Sequence, residues 1–463
     1  MSTRSRRLLL VPMLILQALA GVEISDHEGR VIQVQILAIE DSRIEIRMKN
    51  GQPIWLERSR LSDASNAMIT SRIQEQANAY QSLNEAFGIP LFADSNLWDD
   101  EAKAAAKRLG WPRESKTANQ SSYRLYPEKD ERILGARPYS AVIYGSENRT
   151  ESFSIVFANK GDIRFSDPPT SEQIRNLERA IENDLETLRK VLTRELGQPE
   201  RQQFGAGRGM KQLIERWDWQ GHAFILAAQD GEYVSLRIIT TAMADNKGRT
   251  EKLSDAALRK LTLENIKKLP NGDVLIDNIP MVDQGPKGYC VPATFERYLR
   301  FLKIPADMYL LAMAGQTGIG GGTSISEIME AIKGKAASQN RSMKKITGEI
   351  DMRTIRKYID RGLPLIWAMF SSREYNSFVN ARTKDRSKTS HWDQWATRTK
   401  KEVSDIELRK DMMSAHACMI IGYNKATGEI AVSDSWGPSY AIRWVPAEHA
   451  KQVSQGYLYL IEY

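Results

Sequence analysis

Cys290, one of two cysteines in 463 residues, stands six positions after Gln284 in the run Gln284-Gly285-Pro286-Lys287-Gly288-Tyr289-Cys290-Val291-Pro292-Ala293. A lone free cysteine is most often a small buried hydrophobe, so the chemistry depends on what surrounds it. Phe295, Tyr298, Leu299 and Leu302 follow at helical spacing, with Pro292 tolerated in the first turn, and the spacing predicts a helix that begins at the cysteine. At a helix N-terminus the macrodipole and the free amide groups favour thiolate over thiol, which makes sulfur a better nucleophile. Gln284 can add a side-chain amide donor to the backbone N–H of Cys290, forming a hole for a tetrahedral oxyanion.

A base and its orienter lie downstream. The segment from Ser414 to Asn424 is an apolar strand that opens on His416, and Glu429 to Gly437, carrying Asp434-Ser435-Trp436, is its partner across the turn-rich Asn424-Lys425-Ala426-Thr427-Gly428. If Tyr423 pairs with Glu429, His416 lies opposite Trp436 and Asp434 is its diagonal neighbour on the same face. A carboxylate there fixes the imidazole tautomer and supports an imidazolium paired with the Cys290 thiolate. Five scattered histidines and two cysteines offer no zinc-ligand spacing, so neither a metal nor another cofactor is expected.

Gln284, Cys290 with Pro292 and Ala293 inside the next helix, His416 opening a strand that ends Gly422-Tyr423, and Asp434-Ser435-Trp436-Gly437 together resemble the papain-like cysteine peptidases, and within them the bacteriocin-processing-like branch. The resemblance covers about residues 274–463. It implies a papain-like fold, a Cys290–His416–Asp434 triad with Gln284 as oxyanion donor, and a peptide or protein substrate. Two departures bear on the reaction. The longer papain pattern around the nucleophile is absent, since Tyr289 and Val291 flank Cys290, and Asp434 stands where papain uses asparagine. Aspartate also serves the transglutaminases, so transglutaminase-like or amidase-like acyl transfer fits the same residues, as does a catalytically silent binding protein. Members of the branch that export peptides are fused to a membrane transporter, and no such segment is seen in this sequence.

Length and composition bound the elements around this site. A chain of 463 residues, 41% hydrophobic and 27% charged, is expected to be globular with two to four compact units. Its net charge of +7 arises from 65 basic and 58 acidic residues, dispersed without a basic tract, which argues against a nucleic-acid partner. Arg4, Arg6 and Arg7, the apolar run Leu8 to Leu16 and Ala18-Leu19-Ala20 have the form of a secretory signal peptide cleaved after Ala20. The run is too short to span a bilayer. The expected mature protein is therefore secreted or periplasmic, with no membrane span after cleavage.

Residues 21–70 alternate with period two in Val31 to Leu37, Arg43 to Met48 and Ile54 to Leu56, separated by Asp41-Ser42 and Asn50-Gly51, which predicts a small β-barrel or curled sheet. The order resembles the Sla homology domain, an SH3-like barrel, and implies a module for a protein or cell-surface ligand; a plain spacer fits as well. Residues 71–95 read as a polar helix and linker, and residues 96–265 as an α+β domain of unknown role. In that domain Ser140 to Tyr144, Ser152 to Ala158, His222 to Ala228 and Tyr233 to Ile239 read as strands. Ile174 to Leu196 reads as a helix stopped by Gly197. The fold class is α+β, ending in a papain-like domain over residues 266–463.

Within that last domain, Gly320-Gly321-Gly322 reads as a turn before a capping box, Ser324 to Glu327. The polar stretch 371–415 reads as a long connection flanking the substrate cleft. Cys418 shares a face with His416 and reads as a buried thiol, with a redox lock on Cys290 as the sharper reading. His222 reads as structural, and His27 and His449 as surface residues.

Overall fold

The computed structural model describes residues 14–39, 42–48, 51–93, 95–162, 169–205, 211–229, 231–249, 251–286, 288–318 and 322–463. The basic start of the expected signal peptide and most of its apolar run lie outside the described residues, as do Gly320 and Gly321 of the expected turn.

Three antiparallel sheets follow one another along the chain. The first is a meander of β1 (Leu14–Ser25), β2 (Val31–Ile39), β3 (Arg43–Met48) and β4 (Ile54–Glu57) in that spatial order. Period-two alternation buries Val34, Ile36, Ile44 and Ile46 on one face. The expected closed barrel is, among the described residues, an open sheet: β1 and β4 do not pair, and the apolar stripe of α1 (Asp63–Phe87), with Ile69 buried, covers the face instead. That helix starts earlier than the pattern from residue 71 implied, because Ser62 caps it by accepting the Ser65 N–H. The first half of β1 overlaps the expected leader, with Leu14 opposite Ile39 and Leu19 opposite Ile36; cleavage after Ala20 would keep the Val22–Ser25 pairs.

The second sheet joins two four-strand meanders edge to edge through β8 and β12. After α2 (Ala102–Leu109) come β5 (Arg113–Lys116), β6 (Gln120–Leu125), β7 (Ser140–Ser146) and β8 (Arg149–Asn159). The helix α3 (Ser171–Leu196) leads to β9 (Glu200–Phe204), β10 (Gln212–Trp219), β11 (His222–Gln229) and β12 (Tyr233–Thr240). One face packs Ile143, Phe153, Ile155 and Phe157 against Leu177, Ile181, Leu188 and Leu192 of α3. The other face presents Tyr139, Val156 and Tyr233 to the C-terminal domain. A sheet covered on both sides explains why β7 and β11 are buried almost throughout instead of alternating.

Two helices, α4 (Thr241–Asp245) and α5 (Asp255–Glu264), lead into the third sheet. Its elements are β13 (Ile266–Lys268), β14 (Asp273–Ile276), α6 (Cys290–Phe301), α7 (Met308–Ala314), α8 (Ile325–Ser338), β15 (Ser342–Thr347), α9 (Met352–Ile359) and β16 (Leu365–Phe370). They continue with α10 (Arg373–Arg386), α11 (Trp392–Asp405), β17 (Ala415–Asn424), β18 (Glu429–Ser433), β19 (Arg443–Pro446), α12 (Ala447–Val453) and β20 (Ser454–Glu462). The sheet runs β13-β14-β17-β16-β20-β15, and β18 with β19 branches from β17. Ser324 accepts the Glu327 N–H, the forward arm of the expected capping box.

The stretch 371–415 is not an open connection. It folds into α10 and α11, whose basic residues turn inward: Arg382 and Arg386 are buried and bind Glu429, Arg386 also binds Asp273, and Trp395 donates to Glu429. Polar sequence that reads as loop is here the inner surface of a buried ion-pair network. Among the described residues, no helix is long and apolar enough to cross a membrane.

Candidate active site

The helix α6 begins at Cys290, with Tyr289 at its N-cap. One turn on, Thr294 donates to the carbonyl of Ala417, the neighbour of His416, and fixes the helix against β17. Arg297, 1% exposed, donates to the carbonyl of Pro280 at 2.9 Å and to the carbonyl and hydroxyl of Ser433 at 3.3 and 2.5 Å. The helix of the thiol is thereby tied to the strand end that carries the acid. Every residue of the helix is buried, including the charged Glu296, Arg297 and Arg300.

His416 Nε2 lies 2.9 Å from Asp434 Oδ1. A carboxylate accepts, so Nε2 carries the proton and Nδ1 is left for the sulfur, with which His416 also shares a hydrogen bond. The predicted pairing of Tyr423 with Glu429 is off by one: Tyr423 faces Ile430. A bulge at Ile421 then restores the predicted register, with Ile420 opposite Val432 and Met419 opposite Ser433. The error cancels before the functional end of the hairpin. Trp436 stacks on the His416 ring with centroids 4.7 Å apart and planes at 29°, and Tyr440 meets Trp436 edge-on at 5.4 Å. The indole face shields the His416–Asp434 pair from water.

Arg443 is a residue that sequence reading missed. From β19 its Nε and Nη2 both donate to Asp434 Oδ2, at 2.9 and 2.6 Å, while Nη1 reaches Asn376 and Asn380 of α10. Asp434 is fully buried and Arg443 2% exposed. No motif marks an arginine at this distance from the acid.

Charges in the site support one another against burial. Burial raises the Cys290 thiol, but the hydrogen bond and charge of His416, with backbone N–H groups of Ala417 and Val291, bring it below its ordinary value. Burial lowers His416, but hydrogen bonds and charges of Asp434 and Cys290 lift it to about 9. Burial raises Asp434, but the charge of Arg443 and the bond from His416 hold it below the usual carboxylate range. The arrangement favours a thiolate–imidazolium pair, backed by a carboxylate anchored on arginine, and is suited to nucleophilic attack on a carbonyl.

Gln284 is half-buried, and its backbone N–H donates to the carbonyl of Ser435 at 2.9 Å, which joins the segment before Cys290 to the Asp434 loop. Cys418 is fully buried, with its thiol raised well above the ordinary value by burial, and donates to Met369 Sδ at 3.8 Å; both cysteines are free. His222 is buried, its Nε2 accepting the Leu97 N–H, and burial pushes it down to about 4. The expected surface position of His449 is corrected: it is buried, with Nε2 2.9 Å from the Ile406 carbonyl and Phe378 edge-on to its ring. His27 is exposed and reaches the Ser59 carbonyl. Among the described residues, no cluster of His, Cys, Asp and Glu could hold a metal ion.

A comparison with curated proteins returns no match. Residues 276–460 match the Peptidase_C39 like family, so the part of the chain that carries Cys290, His416, Asp434 and Gln284 is a C39-like peptidase domain.

Proposed function

We propose that the chain is an exported cysteine peptidase that hydrolyses peptide bonds through Cys290, His416 and Asp434, with Gln284 as oxyanion donor. The observation that carries this reading is the buried line from thiol to imidazole to carboxylate, ending on Arg443. The Cys290 thiolate attacks the scissile carbonyl. The oxyanion is met by the Cys290 N–H and the Gln284 amide. The His416 imidazolium then protonates the leaving amine, which departs and leaves a thioester on Cys290. Neutral His416 takes a proton from water, the resulting hydroxide attacks the thioester, and the acid product and thiolate are released. Asp434 keeps Nδ1 aimed at sulfur throughout. The test is hydrolysis of a pool of internally quenched peptides: the wild type cleaves, Cys290→Ala does not, and a wild type that cleaves none overturns the reading.

Export rests on Arg4, Arg6, Arg7 and the apolar run before Ala20. Expression in a bacterial host, fractionation and N-terminal sequencing are expected to give a protein outside the cytoplasm that begins at Gly21. A full-length cytoplasmic product contradicts it.

A further inference from the structure

The arm that carries Gln284 is held from outside the peptidase domain. Asp283, its neighbour, is gripped at both backbone groups by the middle sheet: its N–H donates to Glu114 Oε1 at 2.7 Å, and its carbonyl accepts from the Tyr126 hydroxyl at 2.7 Å. Two residues earlier the Met281 N–H donates to Ser115 Oγ at 2.9 Å. On the other side of Gln284, Gly285 has φ +71°, and a Cβ there would lie 2.7 Å from the Tyr126 ring, so the ring sits directly on the glycine. Past that turn, Tyr289 Oη donates to Asn159 Oδ1 at 2.9 Å and packs on Gly161. Both ends of the segment from Asp283 to Tyr289 are therefore fastened to the middle domain.

The fastening is rigid because its own supports are buried. Glu114 is held by Arg124 Nε at 2.6 Å and Ser122 Oγ at 2.8 Å; Arg124 reaches the Tyr144 hydroxyl at 3.1 Å; Tyr144 donates to Glu296 Oε1 at 2.7 Å. Glu296 is fully buried on the helix that Cys290 opens, and Glu114, Arg124 and Tyr144 are each 5% exposed or less. A hydrogen-bonded circuit thus runs from the nucleophile's helix through the middle sheet to the oxyanion arm. Apolar packing of Tyr139, Val156 and Tyr233 against Val282, Tyr289 and Tyr309 closes around it.

We infer that the middle domain is a working part of the peptidase site, in which Tyr126 and Glu114 are positioning residues that set Gln284 relative to Cys290. This rests on the peptidase reading above. A buried network with every member satisfied specifies one geometry, and an oxyanion donor works only when it is in place before the charge develops. The middle domain accordingly controls turnover while the thiolate–imidazolium pair is held separately by Asp434 and Arg443.

The test uses the full chain and one internally quenched peptide that the wild type cleaves. Tyr126→Phe removes the hydroxyl that holds the Asp283 carbonyl and keeps the ring over Gly285. It is expected to lower kcat roughly tenfold, the scale of a small displacement of a catalytic donor. KM and the rate at which iodoacetamide alkylates Cys290 should stay unchanged. Tyr139→Phe, in the same interface but without a hydrogen bond to the arm, should leave kcat alone. Because Tyr126 acts through Gln284, Tyr126→Phe should have little further effect in a Gln284→Ala background. Unchanged kcat in Tyr126→Phe, or the same loss in the Gln284→Ala background, overturns the inference while leaving an active wild type as a peptidase. A wild type that cleaves nothing, or a Cys290→Ala variant that cleaves as well, overturns the peptidase reading and this inference with it.

Discussion

Replacing Arg443 by methionine removes the cation behind Asp434 while keeping most of the side-chain volume. In the native chain Asp434 is fully buried and its Oδ2 accepts two guanidinium N–H groups, at 2.9 and 2.6 Å, leaving Oδ1 for His416. Breaking a buried ion pair from one side costs about 3–5 kcal/mol, since the remaining charge is stranded. At about 2–4 °C per kcal/mol for a domain of this size, melting of the peptidase domain should fall by roughly 6–20 °C at pH 7. The sign follows from Asp434 being held below its unfolded value of about 4. Such a group stabilises above the unfolded pKa and loses that contribution as pH falls through the folded one, so the gap between wild type and variant should be widest near neutrality and narrow below about pH 4. Turnover should fall as well, and its acid limb should move to higher pH as the carboxyl takes up a proton more readily. Calorimetry and a kcat/KM profile against pH check this. A variant that melts within about 2 °C of the wild type with an unmoved acid limb refutes the role given to Arg443.

Further outcomes follow from the same geometry. The kcat/KM profile of the wild type should be bell-shaped, rising as Cys290 ionises at its lowered pKa and falling as His416 loses its proton near pH 9; a profile still rising above pH 10 is inconsistent with the ion pair. Gln284→Ala should lower kcat by roughly a hundredfold or more with little change in KM, the scale of one oxyanion donor, as steady-state kinetics will read. Gly422→Ala places a methyl against the Val274 carbonyl where β17 leaves β16 for β14, and should cost about 1–3 kcal/mol in a denaturant melt. Native iodoacetamide should label Cys290 and spare Cys418, and activity should persist without reductant; a Cys290–Cys418 disulfide in non-reducing peptide mapping would reinstate the redox lock.

The groups of the candidate site were legible as a pattern because the proposed chemistry constrains both residue type and local structure. Cys290 must open a helix and His416 must open a strand, and both patterns stand in the sequence. The bulge at Ile421 left no signal, since pairing register is set in space, and it went unseen without harm because it cancelled a second error. Arg443, Glu114 and Tyr126 were not legible. Glu114 and Tyr126 act across a long sequence separation, and a polar residue that will be buried against another domain looks like one that faces water; Arg443 lies only nine residues from Asp434, on a strand where no motif marks it. Glu296 and Arg297 show the same limit on α6, and Arg382 and Arg386 on α10. Alternation in the N-terminal strands fits a barrel or a curled sheet alike, because it fixes strands but not whether the last pairs with the first; the helix that covers the sheet reads as polar from residue 71, and its earlier start and covering role leave no such pattern.

Everything proposed for the site turns on Cys290 being a nucleophile activated by His416. The most direct measurement is mass mapping of an electrophilic peptide probe on the native full-length chain. The expected result is a single adduct on Cys290, reduced strongly in His416→Ala and absent in Cys290→Ala, with loss of peptide hydrolysis in step. A chain that takes no adduct at Cys290, or labels equally well in His416→Ala, contradicts it.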